Sequence, residues 1–156
     1  MISNATRKSL LGALLGGSML STAVAYDLDQ HAWRDRLLVI AAPTQGDPGV
    51  QQQRAVIKKR ADAIADRRLR VFELFEDGGT RDGIALTPAE TAQLRKRFGI
   101  GETERVMLLV GYDGGIKRRS SVDTDLRIFF LDIDNMPMRQ AEIREKRAAG
   151  QPVTEP

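Results

Sequence analysis

Apolar residues fall along this chain in two kinds of pattern. Leu37-Leu38-Val39-Ile40-Ala41-Ala42 and Val106-Met107-Leu108-Leu109-Val110 are continuous apolar runs without alternation. Such runs suit strands covered on both faces, as in a sheet sandwiched by helices. Pro43 and the Gly46-Asp47-Pro48 turn end the first run. Asp47 followed by Pro48 then reads as a helix start, an N-cap acceptor before a residue whose missing N–H costs nothing there. Val50, Ile57, Ala61 and Ile64 recur at helical spacing, which predicts one amphipathic helix down to Arg67.

Leu69 to Phe75 is strand-like, and Glu76 to Ile84 reads as a polar, glycine-rich loop. Thr87-Pro88-Ala89-Glu90 is a capping box with proline at the first helical position. Its helix carries Leu94 and Phe98 inward and ends at Gly99. Asp113-Gly114-Gly115 predicts a hairpin turn after the second apolar run. Ile116 to Ser120 is then a return strand at a sheet edge, with Lys117 and Arg119 facing outward. Asp123 to Asp132 predicts a short helix, and Asp134 or Asn135 would cap a last one from Pro137 to Ala148. The resulting order of strands and helices predicts an α/β fold, a three-layer sandwich with a mixed central sheet and helices on both faces; right-handed crossovers leave it few topologies, and the thioredoxin-like one is prominent among them.

The N-terminus adds a compartment. Arg7 and Lys8 precede an apolar run from Leu10 to Met19, and Ala23-Val24-Ala25 supplies the small residues a signal peptidase reads. Residues 1–25 are expected to be a cleaved signal peptide, with cleavage after Ala25 and a periplasmic or secreted product. The run is short and diluted by glycine, so no stable membrane anchor is expected after cleavage. Residues 26–148 would form one domain and 149–156 a flexible tail. Without Arg7 and Lys8, 22 cations face 21 anions. That balance, with no basic face carrying aromatics, argues against nucleic acid. The absence of cysteine removes thiol catalysis, disulfides and zinc–thiolate sites together.

Several strings then resemble a known family: Trp33 with Arg36-Leu37-Leu38-Val39, Gln53, Tyr112-Asp113-Gly114-Gly115-Ile116-Lys117, and Ile133-Asp134-Asn135-Met136-Pro137-Met138-Arg139. Together they resemble the bacterial domain of unknown function 4174 family, which has a thioredoxin-like fold and is related to domains of vertebrate extracellular sushi-repeat-containing proteins. The resemblance spans about Leu28 to Arg144. It implies a fold and supports export, and it implies no activity. In a thioredoxin-like redox enzyme the loop after the first long strand holds the cysteines. Here that loop reads Pro43-Thr44-Gln45-Gly46-Asp47, and Thr103-Glu104-Arg105 stands where a thioredoxin has its cis-proline.

The candidate binding residues are Trp33, Arg36, Asp134, Met136, Met138 and Arg139. Asp134 could accept from helix N–H groups, Pro137 could fix the first turn, and Arg139 could pair with a carboxylate or hold an anion. The competing role for this string is a structural cap whose arginine locks the last helix against the sheet. Met136 and Met138 could offer thioethers to Cu(I), or simply fill gaps in the core. Asp132 and Asp134, with Asp123 and Asp125 near, could serve calcium or act as caps. Trp33 could be a binding aromatic or close one end of the core under Arg34 or Arg36. His31, the single histidine, reads as a surface residue. No nucleophile elbow, phosphate loop or catalytic triad is present, and no cofactor is expected. The favoured reading is a redox-inactive exported module that binds an envelope protein or peptide. The alternative is a small enzyme or a copper- or calcium-handling protein using the Asp134–Arg139 loop.

Overall fold

A computed structural model describes residues 25–156. The leader read into the first residues lies outside the described residues. The elements follow in the order β1 (Arg36–Ala41), α1 (Pro48–Lys59), α2 (Ala61–Asp66), β2 (Leu69–Phe75), β3 (Gly78–Arg81), β4 (Ile84–Leu86), α3 (Pro88–Arg97), β5 (Val106–Val110), β6 (Ile116–Ser121), α4 (Leu126–Asp134) and α5 (Pro137–Ala148). One six-stranded sheet has the order β4-β3-β2-β1-β5-β6. β1 and β2 run parallel, with Leu38 opposite Val71, and every other pairing is antiparallel.

The two apolar runs are the central strands, and their composition follows from double coverage. Side chains alternate across a strand. Leu38, Ile40, Met107 and Leu109 therefore pack under α1, α2 and α4, with Val50, Ala63, Phe129, Phe130 and Ile133. Leu37, Val39, Val106, Leu108 and Val110 face the other way, onto Leu94 of α3 and onto Phe98 and Ile100 beyond it. The three-layer, mixed-sheet α/β sandwich of the sequence reading is thus present. The capping box at Thr87 and Glu90 forms, and Gly99 ends α3 with a φ of 61°. Gln53 of α1 is buried, and its amide donates to the carbonyls of Val122 and Thr124, both at 2.8 Å. That ties α1 to the connection between β6 and α4.

Two segments differ from expectation. The predicted single helix breaks at Arg60, whose φ of −112° and ψ of 25° end α1. The chain reorients there, α2 buries Ala63, and Arg67 arrives over the Phe130 ring. The predicted loop over 76–84 is instead two strands that widen the sheet. Its second turn is Asp82-Gly83, with φ of 49° and 80°, the left-handed pair that a tight hairpin requires. Alternation was masked there because Gly78, Gly79, Thr80 and Arg81 supply no apolar face.

No helix or strand forms over 151–156, yet the segment lies against α2 through Thr154, as described below.

Gly79 shows how tightly β3 sits on its neighbours. A Cβ there would stand 2.2 Å from the Glu73 carbonyl oxygen and 3.1 Å from the Thr91 hydroxyl. Gly79→Ala must push β2 and β3 apart and should lower unfolding free energy by about 1–3 kcal/mol. Urea denaturation checks this, and an unchanged midpoint would contradict the tight register.

Candidate functional site

The Asp134–Arg139 string forms the turn between α4 and α5. Asp134 closes α4, Met136 precedes α5 and Pro137 opens it. Asp134 caps neither helix with its side chain, contrary to expectation. One carboxylate oxygen instead accepts from Nη2 of Arg67 at 2.5 Å, and the other from Nε of Arg139 at 3.2 Å. Arg139 is 0 % exposed. Its Nη1 donates to the Asp66 carbonyl at 2.8 Å and to Glu142 at 3.5 Å, and its Nη2 to the Asp66 carboxylate.

Two further arginines are equally buried. Arg67 lies over the Phe130 ring, 4.6 Å from its centroid, and donates to the Ala63 carbonyl at 3.1 Å. Arg36, the first residue of β1, stacks on Tyr112 at 4.0 Å. It donates to the Arg67 carbonyl and to the Tyr112 hydroxyl, both at 2.9 Å, and to Glu142 at 3.1 Å. Tyr112 in turn donates to Glu142 at 2.7 Å. The tie between α5 and the sheet therefore runs through Glu142 to Arg36, while Arg139 itself ties α5 to the end of α2.

These contacts set the protonation of the cluster. Burial raises the cost of charging Glu142, but hydrogen bonds from Arg36 and Tyr112 outweigh it and hold the group below the usual carboxylate range. Burial likewise opposes the Asp66 charge, and Lys146 and Arg139 overcome it, so Asp66 is held far below that range. Burial first, then the bond to Glu142, pushes the Tyr112 hydroxyl up to about 12. Every carboxylate here is engaged by guanidinium or ammonium groups, and Tyr112 stays protonated as a donor. Such a cluster holds elements together; it leaves no base free to take a proton.

Of the six candidate residues, Arg36, Asp134 and Arg139 thus meet in one network. The other three do not join it. Trp33 is 67 % exposed with φ of 59°, and its N–H donates to the Tyr112 carbonyl at 2.8 Å. It does not close the core, and Arg36 stacks on Tyr112 in its place. Met136 packs against the core, whereas Met138 is 48 % exposed, so the two thioethers face different surroundings. Asp132 pairs with Arg118 on β6, away from Asp134. Among the described residues no cluster of three or more His, Asp or Glu side chains is placed to hold a metal. His31, expected at the surface, is 6 % exposed. Its ring stands between the Tyr26 hydroxyl at 2.9 Å and the Asp35 carboxylate at 2.8 Å.

The Pro43–Asp47 loop lies at the opposite end of β1 from Arg36. Asp47 caps α1, accepting from the N–H groups of Gly49 at 2.9 Å and Val50 at 3.3 Å. The same carboxylate takes Nε of Arg105 at 2.6 Å and its Nη2 at 3.0 Å. The far edge of Arg105 meets Asp123 at 3.0 and 3.1 Å. Arg105 holds both carboxylates below their ordinary range. A Cβ at Gly49 would stand 2.5 Å from Asp123 and 2.9 Å from Arg105. An Asp–Arg–Asp bridge therefore fills the place where the sequence reading looked for redox cysteines. Sequence reasoning noted Asp47 and Asp123 but gave no bridging role to Arg105, and no role in a site to Asp66, Arg67 or Glu142. Only the Asp47 N-cap signal pointed there.

A groove of about 630 Å³ opens elsewhere, between α1–α2 and β2–β3. Ile57, Ala61, Ile64, Leu69 and Val71 line it, together with Arg54 and Glu73, which are paired at 2.7 Å.

A sequence model described as "Domain of unknown function (DUF4174)" matches residues 27–142. The chain belongs to that family. Arg36, Arg67 and Arg139, with Asp66, Asp134 and Glu142, lie inside the DUF4174 match, whereas Lys146 and Thr154 lie beyond it. Among curated proteins the chain is similar to "Coiled-coil domain-containing protein 80" of Danio rerio, 29 % identical over 142 residues. That match covers 79 % of this chain and only 16 % of the relative, so the chain spans about a sixth of its length. Two solved structures share the fold. A reduced 2-Cys peroxiredoxin of Plasmodium vivax superposes with a TM-score of 0.55 at 12 % identity, covering 79 % of this chain and 72 % of that one. The mitochondrial 2-Cys peroxiredoxin of Plasmodium falciparum gives 0.52 at 10 %, covering 82 % and 86 %. The DUF4174 chain thus has a thioredoxin-like fold without cysteine.

The buried network generates two predictions. Arg139→Ala strands Asp66 and Asp134 and should cost about 3–5 kcal/mol, with Arg139→Lys recovering only part because lysine lacks the planar fork. Chemical denaturation of both variants measures it, and an unaltered midpoint for Arg139→Ala would overturn the structural role. The second is a pH dependence. A carboxylate whose folded pKa is depressed contributes stability above its unfolded value, 4.5 for Glu142, and loses it as pH falls toward the folded one. Stability should decline below about pH 4.5, and Glu142→Gln should flatten that decline in a pH series of denaturation curves.

Proposed function

We propose that this protein is an exported, redox-inactive module of the cell envelope that binds a protein or peptide. The observation that carries the reading is the aliphatic groove between α1–α2 and β2–β3. It is open, mostly apolar and of a size that binding sites have. Lys58 also lines it, as does Arg70, which is paired with Asp35 at 3.2 Å and Asp82 at 3.5 Å. An amphipathic segment with aliphatic side chains and a carboxylate fits this lining, laid in as a helix in a groove. β3 is paired on both sides, so strand addition is not available there. The ion bridge at Asp47 supports the absence of redox chemistry, because it occupies the expected position with charge and no thiol. Export is supported by the residue pattern from Arg7 to Ala25.

Three outcomes follow. Intact-mass measurement on protein recovered from the periplasm should show an N-terminus at Tyr26; a product retaining Leu10 to Met19 would end the export reading. Pure protein should show no insulin reduction or thiol-peroxidase turnover, since it has no dithiol. Peptides selected on immobilised wild type should be rich in aliphatic and acidic residues. Ile57→Glu should weaken them about tenfold or more at unchanged circular dichroism, because it places an unpaired charge in the groove. Equal binding by this variant would remove the groove from the function.

A further inference from the structure

Thr154 lies in a segment with no regular structure, yet every polar group it owns is matched by two consecutive residues. Its N–H donates to Oδ2 of Asp66 at 3.2 Å, and its hydroxyl donates to the same oxygen at 3.0 Å. The hydroxyl oxygen accepts from Nη1 of Arg67 at 3.0 Å. Its carbonyl accepts from Nη2 of Arg67 at 3.2 Å. Arg60 adds a bond to the Pro156 carbonyl at 3.4 Å, so the segment runs beside α2.

The chemistry of this pairing is selective. A hydroxyl donates and accepts at once, as the Asp66–Arg67 pair demands. Valine has nearly the shape of threonine and can do neither. The receptor side is also held without Thr154. Arg139 and Lys146 fix Asp66, and the Ala63 carbonyl, Asp134 and the Phe130 ring fix Arg67. A pair positioned by its own scaffold spends little ordering entropy when a ligand arrives. The receptor residues lie within the family match and Thr154 outside it.

We propose that Asp66 and Arg67 form a recognition site for a serine or threonine in an extended peptide of a partner protein, and that Thr154 occupies this site in cis. The site stands apart from the groove, which uses Ala61, Ile64 and Ala65 on another side of α2. A short tether gives the cis segment an effective concentration of about millimolar, so it holds the site against weak ligands and yields to stronger ones.

The test uses the full chain with a protease recognition sequence inserted between Gly150 and Gln151, cut after folding and dialysed. The probes are an acetylated peptide of residues 151–156 and the same peptide with valine for threonine, titrated by calorimetry. Cut protein should bind the threonine peptide saturably and the valine peptide about tenfold or more weaker. Uncut protein should show no saturable binding over the same range. In the uncut chain, Thr154→Val should open the site and admit the threonine peptide. Equal or absent binding of the two peptides by folded cut protein would overturn the site, and so would loss of near-ultraviolet circular dichroism on cutting. Groove peptides titrated in parallel separate the two ideas: if they still bind, only the Asp66–Arg67 site has failed.

Discussion

Three guanidinium groups with almost no exposed surface, Arg36, Arg67 and Arg139, organise one end of this domain. Charges of that kind are tolerated only where carboxylates and carbonyls meet them at good geometry. Here Asp66, Asp134 and Glu142 do so, and each belongs to a different element. The consequence is a mutual constraint. α2 must end where Asp66 reaches Arg139, α4 must end where Asp134 reaches Arg67, and α5 must lie where Glu142 reaches Arg36 on β1. Nε of Arg36 and of Arg67 remain buried without partners, so the network is not fully satisfied. Removing one partner from such a cluster is costly, while the net stability an intact buried ion cluster adds is commonly small.

The opposite end of the sheet is arranged by a lighter version of the same device. Arg105 bridges Asp47 and Asp123 across the start of α1, in partial contact with solvent. Exposed pairs of this sort contribute modestly to stability. The greater effect is occupancy. The carboxylate of Asp47 already satisfies the first N–H groups of α1, and Arg105 covers that carboxylate. A fold shared with 2-Cys peroxiredoxins therefore presents a closed ionic surface after β1, and the open apolar surface lies beside α1 and α2 instead.

The elements readable from residue patterns were those with strong local signals. The continuous runs became β1 and β5, the Thr87–Glu90 box began α3, and the Asp113-Gly114 turn joined β5 to β6. The break at Arg60 carried no such signal, since arginine is a good helix former. The Asp82-Gly83 hairpin did carry one, but four polar or glycine residues before it hid the strand. Of the candidate site residues, Arg36, Asp134 and Arg139 were found because they stand in the strings that resemble the family, and Arg139 lies at the start of a helix, where a cation calls for an anionic partner. Asp66, Arg67 and Glu142 were missed because each sits in an ordinary amphipathic helix context or just past one.

By itself, then, the sequence determined the layered α/β plan, the lack of thiol chemistry and the importance of the Asp134–Arg139 turn. Apolar periodicity, caps and composition are local properties, and they need no knowledge of what lies across the core. The tertiary structure alone decided which carboxylate answers which arginine, that Trp33 faces solvent while His31 does not, and that Thr154 meets Asp66 and Arg67. Those pairings join residues up to 106 positions apart. A buried charge announces that it needs a partner, but which partner it finds depends on where the packed helices bring one within about 3 Å.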